Sequence, residues 1–253
     1  MTPIWSATAG PERPPGRGRM VLVHGAMDRS AGMLRLSRQL DHEWEVIRYD
    51  RRGYGRSRPS DGPFTVDAHV DDLLGLVDGR PSVLVGHSFG GNVVLALADR
   101  HPDLVRAVVV YESPMSWVDW WPADSVGNLA VSMGGDPADA AEQFLRRMIG
   151  NRRWEKLPPS TREARRAEGV AVVAELADLA RQAPWSPERI KAPVLTVYGE
   201  RGRDHHRRAM RAIAEAVPDG RVTMLAGAHH FGVNTDAVAT AALISAFLDD
   251  VLG

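Results

Sequence analysis

The stretch Val83–Gly91, VLVGHSFGG, decides how the rest of this 253-residue chain is read. Val83, Leu84, Val85 and Gly86 have the continuous apolar character of a short buried β-strand. The chain then turns through His87, Ser88 and Phe89 into a segment whose apolar residues, Val93, Val94, Leu97 and Ala98, recur at helical spacing. Gly86, Ser88 and Gly90 therefore spell G-x-S-x-G between a strand and a helix, the context of a nucleophile elbow. A serine at the tip of so tight a turn needs glycine two residues to either side. The strained turn lifts the Ser88 hydroxyl clear of the sheet and aims the Phe89 amide, at a helix start, towards a reacting oxygen.

Composition narrows the class. With 44% hydrophobic and 25% charged residues, the chain can bury one large α/β core. A net charge of −1 gives no electrostatic footing for nucleic acid or an anionic membrane. The absence of cysteine excludes disulfides, thiol nucleophiles and cysteine-ligated metals. Residues 1–19 lack an apolar signal core and no apolar run is long enough for a bilayer, so a soluble, cytoplasmic protein is expected.

Working outward, strands are predicted at Met20–His24, Glu45–Tyr49, Val105–Tyr111, Pro193–Tyr198 and Arg221–Leu225. Helical patterns fall between them, at Ser30–Leu40, at Val66, Val70, Leu73 and Val77, around Met210, Ile213 and Val217, and over Asp236–Val251. Apolar strands alternating with helices imply a parallel sheet covered on both faces. Residues 1–18, rich in proline, glycine and arginine, read as a flexible lead-in with at most an edge strand at Ile4–Ala7. Residues 19–114 and 187–253 form the α/β core. Residues 115–186 are helix-prone, lack a strand and hold five of the seven tryptophans; they read as an inserted helical cap over the carboxyl ends of the strands. Trp117, Trp120 and Trp121 are candidate pocket residues, and the arginine-rich run from Arg146 to Arg166, with Glu155, Glu163 and Glu168, reads as a solvated helix surface.

HGA at 24–26, DRRGYGRS at 50–57, GHSFGG at 86–91 and GAHHFG at 227–232 together resemble the α/β-hydrolase superfamily, over nearly the whole chain after residue 19. The amino terminus is shorter than the pair of antiparallel strands with which that family's sheet usually begins. The resemblance implies a nucleophile–acid–histidine triad in chain order. Ser88 matches the nucleophile and His230, followed by Phe231-Gly232, the histidine; His229 is then a loop residue. Two acids stay open. In most relatives the acid follows the strand that is here Pro193–Tyr198, where the usual aspartate position is Gly202 and Asp204 fits a longer loop. In some branches, certain haloalkane dehalogenases among them, a glutamate follows the strand beside the elbow strand, which is here Glu112. Glu112 is the first choice and Asp204 the alternative, or a helix cap. The oxyanion hole is expected from the backbone amides of Ala26 and Phe89. His24 and His87 are expected to order their loops, and Asp50, Arg51 and Gly53 to form a structural turn.

The function expected is a serine hydrolase acting on an ester or related acyl bond of a small, apolar substrate, with no cofactor. The histidine pairs 205–206 and 229–230 do not have metal-ligand spacing, so no metal is expected. Two other readings stay open: a ligand-binding protein on a hydrolase scaffold, and an acyltransferase or thioesterase for carrier-bound acyl groups. Sequence leaves the oligomeric state open.

Overall fold

In the computed structural model, residues 3–11, 16–132 and 134–253 are described. Residues 1–2 and 12–15 of the expected lead-in lie outside them. Seven strands form one sheet: β1 (Ser6–Ala9), β2 (Arg19–Val23), β3 (Glu45–Tyr49), β4 (Ser82–His87), β5 (Val105–Tyr111), β6 (Val194–Gly199) and β7 (Gly220–Leu225). Their order is β1-β3-β2-β4-β5-β6-β7. Six run parallel, and β1 alone pairs antiparallel, with β3. The amino-terminal segment thus supplies one antiparallel edge strand, two residues later than Ile4–Ala7, and Trp5 is tied in by its amide to Ser57 Oγ at 2.9 Å.

β2, β4 and β6 are buried along their whole length, as strands covered on both faces must be. One face packs on α2 (Val66–Val77) and α3 (Phe89–Arg100), and the other on α1 (Leu34–Leu40) and α11 (Ala237–Leu252). α1 is shorter than its periodicity predicts, because Ser30–Met33 are used in successive turns before the helix starts.

Among the described residues, five helices fall within the insert, residues 115–186: α4 (Val126–Ser132), α5 (Pro137–Ile149), α6 (Asn151–Glu155), α7 (Pro159–Arg166) and α8 (Gly169–Arg181). Beyond it lie α9 (Asp204–Ala216) and the one-turn α10 (Gly232–Thr235). The insert is anchored by buried acids. Glu175 on α8 accepts from Arg51 Nη1 and Nη2 at 2.7 and 3.1 Å and from the Tyr54 hydroxyl at 2.5 Å; both charged side chains are fully buried. Glu168 accepts from Arg29 and from the Gly55 amide. Glu168 is therefore buried, not part of a solvated face as its neighbourhood in the sequence suggests. The structural turn expected at Asp50–Gly53 is also the insert's anchor.

Burial pushes the Glu175 carboxyl up, but Arg51 and His69 outweigh it and hold it below the ordinary 4.5. The stabilisation from this pair is therefore complete above about pH 4.5 and lost as pH falls further. Glu175→Ala, which strands the Arg51 charge, is expected to cost about 3–5 kcal/mol, measured by urea unfolding at neutral pH.

Candidate active site

The register between β4 and β5 sets the site. Gly86 pairs with Val110 and His87 with Tyr111, and the Ser88 amide continues the ladder to the Tyr111 carbonyl at 2.8 Å. Ser88 and Glu112 consequently leave the ends of neighbouring strands together. Both leave in backbone conformations that side chains rarely adopt: Ser88 at φ 52°, ψ −125°, and Glu112 at φ 47°. Phe89 is the first residue of α3, so its amide is among those with no acceptor inside the helix. The HGA loop passes against the elbow, where a Cβ on Gly25 would lie 2.9 Å from the Ser88 Cβ. Ala26 and Phe89 thereby face one cavity beside Ser88.

His230 reaches the same cavity on the loop after β7. Two side chains hold that loop: the Tyr111 hydroxyl donates to the His229 carbonyl at 2.7 Å, and His87 Nε2 donates to the His230 carbonyl at 2.8 Å. His230 Nδ1 donates to Glu112 Oε2 at 2.7 Å, and the other Glu112 oxygen accepts from the Gly199 amide at 2.9 Å. Glu112 is wholly buried, so both its oxygens are committed to fixed donors. This arrangement leaves Nε2 of His230 as the nitrogen for proton exchange with a group in the cavity.

Asp204, the alternative acid, is not part of this arrangement. Its side chain is 96% exposed, opens α9 and faces Arg207 at 3.6 Å; Arg203 holds the cap position instead. Gly202 leaves room for the Glu112 carboxyl. A Cβ there would lie 2.1 Å from Glu112 Oε1, so an acid at 202 and a glutamate at 112 compete for one space. His229 is exposed, with Nδ1 at 3.2 Å from the Arg201 carbonyl. His24 orders its loop, donating from Nδ1 to the Gly25 carbonyl and accepting the Arg51 amide at Nε2.

The cavity measures about 390 Å³. Of the three candidate tryptophans, Trp121 lines it, whereas Trp117 and Trp120 do not. Trp117 packs edge-on against Trp185, and Trp120 lies under the Arg208 guanidinium at 4.2 Å. The remaining wall comes from the insert, chiefly Phe144, Leu145, Met148 and Leu176. Several lining residues are not evident in the sequence. His206 stacks on His230 with centroids 4.7 Å apart, and Asp28 and Arg165 enter from the HGA loop and α7. Asp28 stands two residues after Ala26 of the HGA motif, close enough to be suspected from it; Arg165 is hidden within the arginine-rich run. Glu112, His206 and His230 offer ligand atoms within 4.8 Å of one another, a set that spacing along the chain does not reveal.

A mostly parallel sheet with a strained serine between strand and helix, and a histidine–carboxylate pair at the strands' carboxyl ends, defines the α/β-hydrolase architecture. Residues 20–243 match the model of the alpha/beta hydrolase family, and the chain belongs to that family. It is 27% identical over 248 residues to 2-(acetamidomethylene)succinate hydrolase of Mesorhizobium japonicum, covering 91% of this chain and 87% of that protein. It is 39% identical over 102 residues to lipase LipV of Mycobacterium tuberculosis, covering 39% of this chain and only 38% of the lipase. Among solved structures, a thermophilic esterase from Thermogutta terrifontis superposes with a TM-score of 0.76 at 21% identity, over 98% of this chain and 93% of the esterase. Hydrolases and esterases thus surround this chain. Among the described residues no helix is long and apolar enough to cross a membrane.

Burial holds the imidazoles of His24, His69 and His87 neutral, His87 down to about 3. Unfolded histidines titrate near 6.5, so below that pH the unfolded chain binds the extra protons. The stability carried by these neutral rings is full above about pH 6.5 and is lost as pH falls towards the folded values. Unfolding free energies from urea titrations between pH 7.5 and 5 are expected to fall, with a slope of up to about 1.4 kcal/mol per pH unit for each ring.

Proposed function

We propose that the protein is a serine hydrolase that cleaves an ester or related acyl bond of a small substrate through an acyl-enzyme on Ser88. The observation that carries this reading is the 2.7 Å bond from His230 Nδ1 to the buried Glu112, with Ser88 at a strained elbow in the same cavity. His230 Nε2 accepts the Ser88 proton as Oγ attacks the acyl carbon. Negative charge gathers on the carbonyl oxygen, for which the amides of Ala26 and Phe89 are the donors. His230 then returns the proton to the leaving alkoxide as the ester bond breaks, giving an alcohol and the acyl-serine. A water, deprotonated by the same imidazole, attacks that acyl-serine; its collapse releases the acid and restores the Ser88 hydroxyl. Glu112 fixes the imidazole's tautomer and stabilises its charged form.

The apolar walls of Phe144, Leu145, Met148 and Leu176, with Trp121 beside them, favour an acyl chain over a sugar or nucleotide. The helical segment 115–186 is the cap of this reading, supplying the cavity's outer wall. The relative of matching length acts, by its name, on a succinate derivative, which agrees with hydrolysis of a small molecule.

A fluorophosphonate probe is expected to label wild-type protein at Ser88 and not Ser88→Ala, with many turnovers of p-nitrophenyl acetate per site. Labelling without turnover would overturn the reading in favour of a ligand-binding protein. In that assay Ser88→Ala is expected to lose at least about 10³-fold in kcat, and Glu112→Gln about 10⁴-fold through the wrong tautomer. Asp204→Asn, on an exposed side chain, is expected to match wild type. Gly202→Ala, whose Cβ collides with the Glu112 carboxylate, is expected to lower kcat with little change in KM, measured by the same steady-state assay.

A further inference from the structure

The cavity wall along the insert is mostly apolar, and two arginines line the cavity, Arg165 and Arg203, with the acids Asp28 and Asp124. Arg165, on α7, lines it next to the HGA loop. Its Nη1 donates to the Met27 carbonyl and to Glu168 Oε2, both at 3.2 Å. Met27 follows Ala26, so the guanidinium is fixed one residue from a proposed oxyanion donor. Glu168 does not need Arg165 for neutralisation, because it already accepts from Arg29 at 2.6 and 3.0 Å and from the Gly55 amide at 3.0 Å. Two guanidiniums, Arg29 and Arg165, therefore share the Glu168 carboxylate.

Asp28 also lies in the Arg165 corner of the cavity. Burial pushes its carboxyl above the ordinary aspartate value, while the Arg29 amide, Arg165, the Asn234 amide and Arg51 pull it the other way. In its neutral form it does not oppose an incoming anion and adds an O–H donor. A guanidinium held by a carbonyl and a carboxylate on one nitrogen is preorganised to offer the rest of its fork to an incoming anion. Thr161, one turn before Arg165, lines the same wall.

We infer that Arg165 is an anion anchor, and that the preferred substrates are esters whose acyl part ends in a second carboxylate on a short spacer. This rests on the serine-hydrolase reading above and names its substrate class. The half-ester's carbonyl sits at Ser88, its chain lies along the apolar wall, and its free carboxylate meets Arg165. Asp28 tunes the corner: ionised it opposes the anion, neutral it supports it.

The test compares kcat/KM for monomethyl glutarate, which carries the charge, with that for dimethyl glutarate, which masks it, in wild type, Arg165→Met, Arg165→Lys and Asp28→Asn. Wild type is expected to favour the half-ester. Arg165→Met is expected to lower the half-ester to diester ratio by about 10- to 100-fold, with Arg165→Lys recovering part of it and Asp28→Asn raising it. Arg165 as a mere tie between α7 and the HGA loop would lower both substrates alike and leave the ratio unchanged, which overturns the inference. A wild-type preference for the diester overturns it as well. Calorimetric binding of glutarate keeps the test independent of turnover. The Kd is expected in the millimolar range or tighter and is weakened at least tenfold in Arg165→Met; no binding to wild type overturns the anchor. Glutarate binding without any ester cleavage would uphold the anchor and overturn the hydrolase reading instead.

Discussion

The hydrogen-bond ladder between β4 and β5 is the constraint from which the site follows. It runs past the regular strand to join the Ser88 amide to the Tyr111 carbonyl, and the next residue on β5 is Glu112. An extended chain rises about 3.3 Å per residue, so a slip of one position would move the carboxylate by that distance and turn it to the other face of the sheet. The ladder admits no such slip, because β4 is buried between β2 and β5 and its apolar side chains fit two opposite cores. The 2.7 Å contact with His230 is thus inherited from sheet packing.

The loop bearing His230 is held by the same two strands. His87 ends β4 and Tyr111 ends β5, and each donates to a carbonyl of that loop. Ser88 and Glu112, both at positive φ, sit where the surrounding structure can enforce them: one opening α3, the other clasped by the Gly199 amide and His230. Backbone strain at these two points is the cost of aiming both side chains out of the sheet at one spot. The Glu112 carboxyl fills the volume that Gly202 leaves open.

The insert is bound to the core by buried charge as well as by apolar contact. Arg51 and Glu175 bury fully, with Tyr54 and His69 around them, and Glu168 gathers Arg29, Arg165 and the Gly55 amide. Removing one partner from such a cluster is far more damaging than replacing the cluster whole. These contacts lie at α7 and α8, so the wall carrying Arg165 is fixed against the HGA loop. That docking places Arg165 in the cavity wall beside the apolar residues of the insert.

The sequence by itself determined the parallel sheet, because runs such as Val105–Tyr111 are apolar at every position and alternate with helical spacing. It determined the elbow at Ser88 for a related reason: only glycine tolerates the close approaches on either side, so the motif is written in the chain. It placed Glu112 and His230 as candidates through their positions after strands, but it left Asp204 open. Only the tertiary structure shows which carboxylate meets the imidazole: Glu112 lies 2.7 Å from His230 Nδ1, and Asp204 is exposed beside Arg207. The same limit applied to Trp117, Trp120, Glu168 and Arg165. A tryptophan or an arginine has one appearance in sequence whether it lines a cavity or packs elsewhere, and helical periodicity says which face a residue shares but not what that face meets. Folding brought Arg165 beside Met27, 138 residues away along the chain, and no local pattern encodes a contact of that range.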